Sequence, residues 1–237
     1  MGGEAVQIGV AEARSALAWW LDAGVDVLVQ EEPRDWLKAP GPKSPARTSE
    51  PPPNVLEPGH DTLAELQHWL SSSMQLPLAS ATARRILPHG PEDAAIMLIS
   101  DAPTFEDSAA GQPIGGEAWD LAQRMLTAIG IPVEQAYSAS LSCLHLPGTK
   151  MSAADRAACA EIARKHIKLV RPKRLLLLGD GPAQALIGKP IAQARGHAHK
   201  IEGVRTVATF HPRTLINQPS NKSLAWKDLL LLMEDGA

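Results

Sequence analysis

Only two cysteines, Cys143 and Cys159, occur in this 237-residue chain, and two are too few for a disulfide framework. No apolar run approaches the roughly 20 residues that a membrane-spanning helix needs, and the mean hydropathy is −0.11. The opening Met1-Gly2-Gly3-Glu4 has neither the basic region nor the apolar stretch of a secretory signal. Val6 stands where a myristoylation motif needs Ser or Thr. Together these absences make a cytoplasmic protein with no membrane association the expectation. A strong charge of either sign is missing as well. The net charge is −3, far from the strongly basic balance that would argue for nucleic acid unaided.

What is present is unevenly distributed. Residues 1–79 hold five Lys/Arg against eleven Asp/Glu, and residues 80–237 hold 18 basic groups against 15 acidic ones. The chain's length leaves room for one full domain with an appendage or for two small domains, and hydrophobic residues, 44% of the chain, suffice for a core. Residues 10–29 repeat Ala, Leu, Trp and Val at helical spacing, with Trp19 and Trp20 adding a large apolar surface. Residues 38–59 then carry seven of the chain's 20 prolines, too many for a packed element, so the segment 38–60 reads as a polyproline-like spacer. The expected organisation is an N-terminal helical segment over 1–37, the spacer, and a folded domain over 61–237.

Within that domain, apolar runs alternate with amphipathic stretches. Strands are expected over 95–99, 136–141, 174–178 and 203–209, and helices over 61–69 with Asp61 as cap, 116–130, 153–169 and 223–233, with another starting at Pro182. Such alternation predicts a three-layer α/β/α domain with a mainly parallel central sheet. Ligands of such sheets bind beyond the carboxyl ends of the strands, which points to three loops: residues 100–104, 138–150 and 210–215. They bring a carboxylate (Asp101), an imidazole (His211) and a cation (Arg213) to one edge. His197 and His199 alternate as on a strand, and too few ligand residues gather around them in sequence to make a metal site with His211 the expectation. The turn Gly179-Asp180-Gly181 reads as strand-to-helix packing.

The same residues resemble a known family. Leu98-Ile-Ser-Asp-Ala-Pro103, Glu106-Asp107, Gly111-Gln-Pro-Ile-Gly115 and Arg124-Met-Leu-Thr-Ala-Ile-Gly130 look like the first motif of the family-4, iron-sulfur type uracil-DNA glycosylases. Val170-Arg-Pro-Lys173 and Leu178-Gly-Asp-Gly-Pro-Ala-Gln-Ala-Leu-Ile-Gly188 resemble its middle section. Val207-Ala-Thr-Phe-His-Pro212 and Ala225-Trp-Lys-Asp-Leu229 resemble its closing motif and last helix. The likeness runs from about residue 63 onward, in order and at matching spacing.

The resemblance implies removal of a deaminated base that has been flipped out of DNA. That chemistry needs a positioned water, stabilisation of an oxocarbenium-like sugar and a donor to the leaving base. By this likeness Asp101 would position the water, one methylene shorter than the family's Glu, and His211 would donate to the base carbonyl. Ser100, Ala102, Pro103, Ile114 and Ala139 would line the base pocket. Ile114 occupies the place of the family's stacking Phe, and Ala139 that of its base-reading Asn. Lys150 and Arg213 are candidates for DNA backbone contact. Of the family's four cluster cysteines, Cys143 and Cys159 match the second pair, while Ser73 and Leu76 stand where the first pair would be. Leu76 cannot ligate iron, so loss of the iron-sulfur cluster is expected, with Cys143 and Cys159 left as vestigial thiols.

Two classes of function follow. One is a base glycosylase of altered specificity or weak activity. The other is a catalytically impaired protein that keeps the fold for binding DNA or a protein partner, with the tryptophan-bearing N-terminal helix as the docking element. A purely structural scaffold is the third and least informative reading. DNA is the expected partner and a monomer the expected state.

Overall fold

The computed structural model describes residues 60–80, 82–145, 148 and 151–234. Contacts divide the chain into two units, Met1–Ser49 and Glu50–Ala237, and all described residues belong to the second. The helix expected over 10–29 and nearly all of the proline-rich segment lie outside the described residues, as does Lys150.

Helix α1 (Leu63–Ser72) opens the described part. Its cap is Thr62 rather than Asp61. The Thr62 side chain accepts from the Glu65 N–H while the Glu65 carboxylate accepts from the Thr62 N–H. The Thr-x-x-Glu spacing of three closes this reciprocal box, and a cap at Asp61 would put Glu65 one residue too far. Next come the short strand β1 (Arg84–Arg85) and the first core strand, β2 (Ile96–Ser100). Helix α2 (Phe105–Ala110), unanticipated from periodicity, is closed by a second capping box, Thr104 with Asp107. Helix α3 (Gly116–Ala128) leads to β3 (Ala136–Ser140) and the two-residue β4 (Leu144–His145), which pairs with β1. Helix α4 (Ala153–Val170), capped by Ser152 as expected, precedes β5 (Arg174–Leu178). Helix α5 (Asp180–Leu186) starts two residues before Pro182, which a first helical turn tolerates because its N–H would be unpaired there. The short α6 (Ile191–Ala194), the strands β6 (Ala198–Ile201) and β7 (Val204–Thr209), helix α7 (Pro212–Asn217) and helix α8 (Lys222–Met233) complete the domain.

The main sheet has the order β3-β2-β5-β7-β6. The first four strands are parallel, and β6 closes the edge antiparallel to β7. Every residue of β2 is buried, as befits a parallel strand covered on both faces. Alternate side chains feed two layers. Met97, Ile99, Tyr137, Leu175 and Leu177 pack on one face with Ile167 and Ala163 of α4. Ile96, Leu98, Leu176 and Val207 pack on the other with Leu126 of α3 and Leu229 of α8. The expected α/β/α architecture is therefore the one observed. A smaller cluster, in which Leu66, Leu70 and Leu76 meet Cys143, Leu144 and Ile162, fastens α1 to the domain.

The chain leaves β2 toward β3 on one side and later places β5 on the other. This reversal opens a crevice at the carboxyl ends of β2 and β5, where open α/β sheets bind ligands.

Candidate active site

A cavity of about 360 Å³ occupies that crevice. The loop after β2 contributes Ser100, Asp101, Ala102 and Thr104, the loop after β5 contributes Gly179 and Asp180, and the loop after β7 contributes His211, Arg213 and Thr214. Two of the three loops singled out from the sequence thus meet in one cleft. The third touches it indirectly: His145 Nδ1 donates to the Pro103 carbonyl at 2.7 Å, bracing the Asp101 loop from β4.

Asp101 is exposed, and its Oδ1 accepts from the Ala102 N–H at 2.9 Å. That bond orients the carboxylate and leaves Oδ2 without a bond to the same backbone. Gly181 makes the placement possible, since a Cβ there would collide with the Asp101 carboxylate. The Gly-Asp-Gly turn therefore does more than pack a strand on a helix: its second glycine makes room for the acid.

His211 caps α7. Its Nδ1 accepts from the Arg213 N–H at 3.1 Å, so in the neutral ring the proton sits on Nε2. Burial, followed by the neighbouring Arg213 cation, pushes the imidazole down to about 4, against a smaller opposing effect of Asp107. At neutral pH the cleft wall holds an uncharged donor, suited to an oxygen that gains negative charge as a bond breaks.

Arg213 does not hang free. Its Nη2 donates to Asp107 Oδ1 at 2.9 Å and to Thr104 Oγ1 at 3.1 Å, and its Nε lies 3.9 Å from Glu106. Asp107 is the hub of this knot, almost fully buried. It also accepts from the Thr104 N–H at 2.8 Å, the Thr104 hydroxyl at 2.7 Å and the Gly115 N–H at 2.7 Å. Burial alone would raise this carboxyl, yet the bonds from Thr104 and Gly115 and the Arg213 charge outweigh it and hold the group below the usual range. Gly115 is required for the close approach, because a Cβ would come within 2.8 Å of the Ala110 Cβ. The sequence reading did not single out Asp107 as a site residue. The Thr104-x-x-Asp107 capping spacing was the available signal.

A second anchor holds the other end of the His211 loop. Asp228 on α8 is fully buried and accepts from Thr209 Oγ1 at 2.8 Å, from Arg195 Nε at 3.2 Å and Nη2 at 3.1 Å, and from the Gly196 N–H. Burial raises this carboxyl despite those partners. Thr209 is the last residue of β7, two positions before His211.

The remaining expected pocket residues lie deeper. Ser100 is buried and donates to the Pro113 carbonyl at 3.0 Å, with Ser140 Oγ 3.2 Å away. Pro103 is buried beside the cleft. Ile114 is fully buried in the α3–α8 layer, and Ala139 pairs with Ile99 and packs in the opposite layer. Neither Ile114, Ala139 nor Pro103 lines the cavity.

The thiols sit elsewhere. Cys143 and Cys159 are both buried and free, raised by burial to about 11 and about 12, respectively. They border a cavity of about 20 Å³ together with Leu70, Leu76 and His166, space for about one water. Leu76 fills its position as a core side chain. Two thiols and a leucine do not fit the four-thiolate donor set of a [4Fe–4S] cluster. His197 and His199 stand with ring centroids 6.5 Å apart, and among the described residues no group of three or more His, Cys, Asp or Glu is arranged to hold a metal ion. Nor is any helix among them long and apolar enough to cross a membrane.

The family model described as the uracil DNA glycosylase superfamily matches residues 87–231. The chain is 23% identical over 141 residues to a type-4 uracil-DNA glycosylase of Archaeoglobus fulgidus, covering 55% of this chain and 71% of that relative. It is 21% identical over 185 residues to a type-4 uracil-DNA glycosylase of Pyrobaculum aerophilum, covering 73% of this chain and 94% of that relative. The matched region contains the whole cleft and both of its anchors.

Proposed function

The chain belongs to the uracil DNA glycosylase superfamily, and on that premise we propose that it hydrolyses the N-glycosidic bond of a flipped, deaminated base in DNA. The observation that carries this reading is the pairing of a carboxylate, Asp101, and a neutral Nε2–H donor, His211, in one cleft. With the base in the cleft, Asp101 holds a water against the sugar, and its charge favours the oxocarbenium character that develops as the bond breaks. His211 donates to the carbonyl oxygen of the departing base, which leaves as an anion. The water attacks the anomeric carbon and its proton passes to Asp101, so that base and abasic sugar are the products. Asp180, also in the cleft wall, adds negative potential. A cleft walled by carboxylates suits a cationic sugar better than a phosphate, and Arg213, committed to Asp107, positions the His211 loop.

Activity weaker than that of a dedicated uracil enzyme, with a different base preference, follows from Ala139 and Ile114. Neither side chain reaches the cavity, and an alanine has no amide to read a base edge. A site lacking a buried polar reader loses discrimination by orders of magnitude. Thr214 and Asn217 are polar groups of the cleft wall placed to take part of that role. We also propose that the protein works without an iron-sulfur cluster, as a monomer acting on DNA in the cytoplasm. The apolar packing of Leu76, where a third ligand would be needed beside only two cysteines, supports the first of these points.

The test is incubation with labelled single- and double-stranded oligonucleotides bearing uracil, hypoxanthine or xanthine, followed by alkaline cleavage at abasic sites. Strand scission with one of these bases, slowed by orders of magnitude in Asp101→Asn and His211→Ala, is the expected outcome. No scission at excess protein would reject catalysis and favour a binding role for the cleft.

A further inference from the structure

Phe105 has no use in the fold. It is 80% exposed, the most exposed large apolar side chain among the described residues. A phenyl ring left in water forgoes the stabilisation that burial brings, and as the first residue of α2 it contributes less to helix formation than an alanine would. Its neighbour Thr104 lines the cleft. The backbone that presents the ring is held firmly: Thr104 and Asp107 close a capping box, and Arg213 bonds to both, tying α2 to the loop that carries His211. A firmly mounted, solvent-facing aromatic one residue from the lining of a cleft roomy enough for a base is the arrangement that nucleobase stacking requires.

Resting on the glycosylase reading above, we propose that Phe105 stacks on the nucleobase next to the one that enters the cleft, holding the DNA strand against the site and supporting the unstacked state that a flipped base leaves behind. The contact uses the π-face of the base and is indifferent to its hydrogen-bonding edge, so Phe105 contributes affinity and registration of the strand without selecting the base that is removed.

The experiment measures binding of the full chain to a labelled oligonucleotide carrying a single tetrahydrofuran abasic analogue. That probe has no base to place in the cleft, so the readout is independent of base preference and of catalysis. Phe105→Ala should weaken binding by roughly 5- to 150-fold, Phe105→Trp should bind at least as well as the native chain, and Phe105→Leu should behave like the alanine variant. The slope of log affinity against log salt should be the same in all four proteins, since no phosphate contact is removed. Because the ring is exposed, unfolding temperatures should also match. Native binding that is unchanged in Phe105→Ala overturns the stacking role and leaves the glycosylase reading standing. So does recovery in Phe105→Leu, which would indicate a generic apolar contact. A native chain that fails to bind the probe at all overturns both.

Discussion

Replacing Asp107 with asparagine tests the knot that joins the two loops proposed to carry catalysis. The native carboxylate takes two bonds on each oxygen: Gly115 N–H and Arg213 Nη2 on Oδ1, Thr104 N–H and hydroxyl on Oδ2. An amide keeps one oxygen and turns its NH2 toward two donors, whichever way it is flipped, so two bonds are lost and Arg213 loses its nearer counter-charge, keeping Glu106 at 3.9 Å. Each bond to a charged group contributes about 1.5–3 kcal/mol. Arg213 retains 31% side-chain exposure, so water replaces part of its share, and the expected destabilisation is about 3 kcal/mol. For a domain of this size that corresponds to a fall of roughly 6–12 °C in Tm. Equilibrium urea unfolding gives the free energy, and a thermal melt checks it. Glycosylase activity should drop further than the folded fraction does, because the His211 loop loses its tie to the Asp101 side of the cleft. A variant within about 0.5 kcal/mol of the native protein would refute the reasoning, since a buried charged hub cannot be removed without cost.

Three further outcomes follow from the same geometry. Gly181→Ala should leave Tm nearly unchanged while reducing activity by about a hundredfold, because its Cβ displaces the exposed Asp101 carboxylate rather than the core; equal kinetics would show that the carboxylate position is immaterial. His166 is buried, bonded through Nε2 to Tyr137 at 2.8 Å, and pushed by burial to about 4. Its folded pKa lies below the unfolded value, so its stabilisation is complete above about pH 6.5 and is lost as pH falls toward 4, by about 2 kcal/mol at pH 5. His211 shifts in the same direction, and urea unfolding from pH 5 to 7.5 should show the slope, reduced in His166→Gln. Protein purified without oxygen should contain no iron and no visible absorbance band, and iron approaching four per chain would contradict the apolar reading of Leu76.

The central strands were legible because a parallel strand covered on both faces reads as an unbroken apolar run, and residues 96–99 and 175–178 are such runs. Helix α4 was legible from Ser152 and Asp155, whose capping needs only local sequence. The proposed catalytic pair was accessible for a related reason. Asp101 directly follows β2 and His211 lies two residues past the end of β7, and strand ends in this topology converge. What escaped was long-range. The Asp107–Arg213 contact spans 106 positions, and neither that contact, the His145 brace nor the space at Gly181 has a local signature. Ile114 and Ala139 show the limit of positional likeness. Their alignment with base-pocket residues follows from spacing, but the depth at which each sits in its layer follows from packing. The edge strand β6 is short and polar, and it forms because β7 offers it a partner rather than through its own apolar pattern.

The account stands on Asp101 and His211 acting together on a glycosidic bond. Single-turnover reaction of the native chain with uracil- and hypoxanthine-bearing DNA, monitored by mass spectrometry for the free base and for the abasic strand, measures that directly. The account predicts stoichiometric release of one of these bases, slowed by about 10²–10³ in His211→Ala and at least as strongly in Asp101→Asn. Release at an unchanged rate in both variants, or none from the native protein, would contradict it.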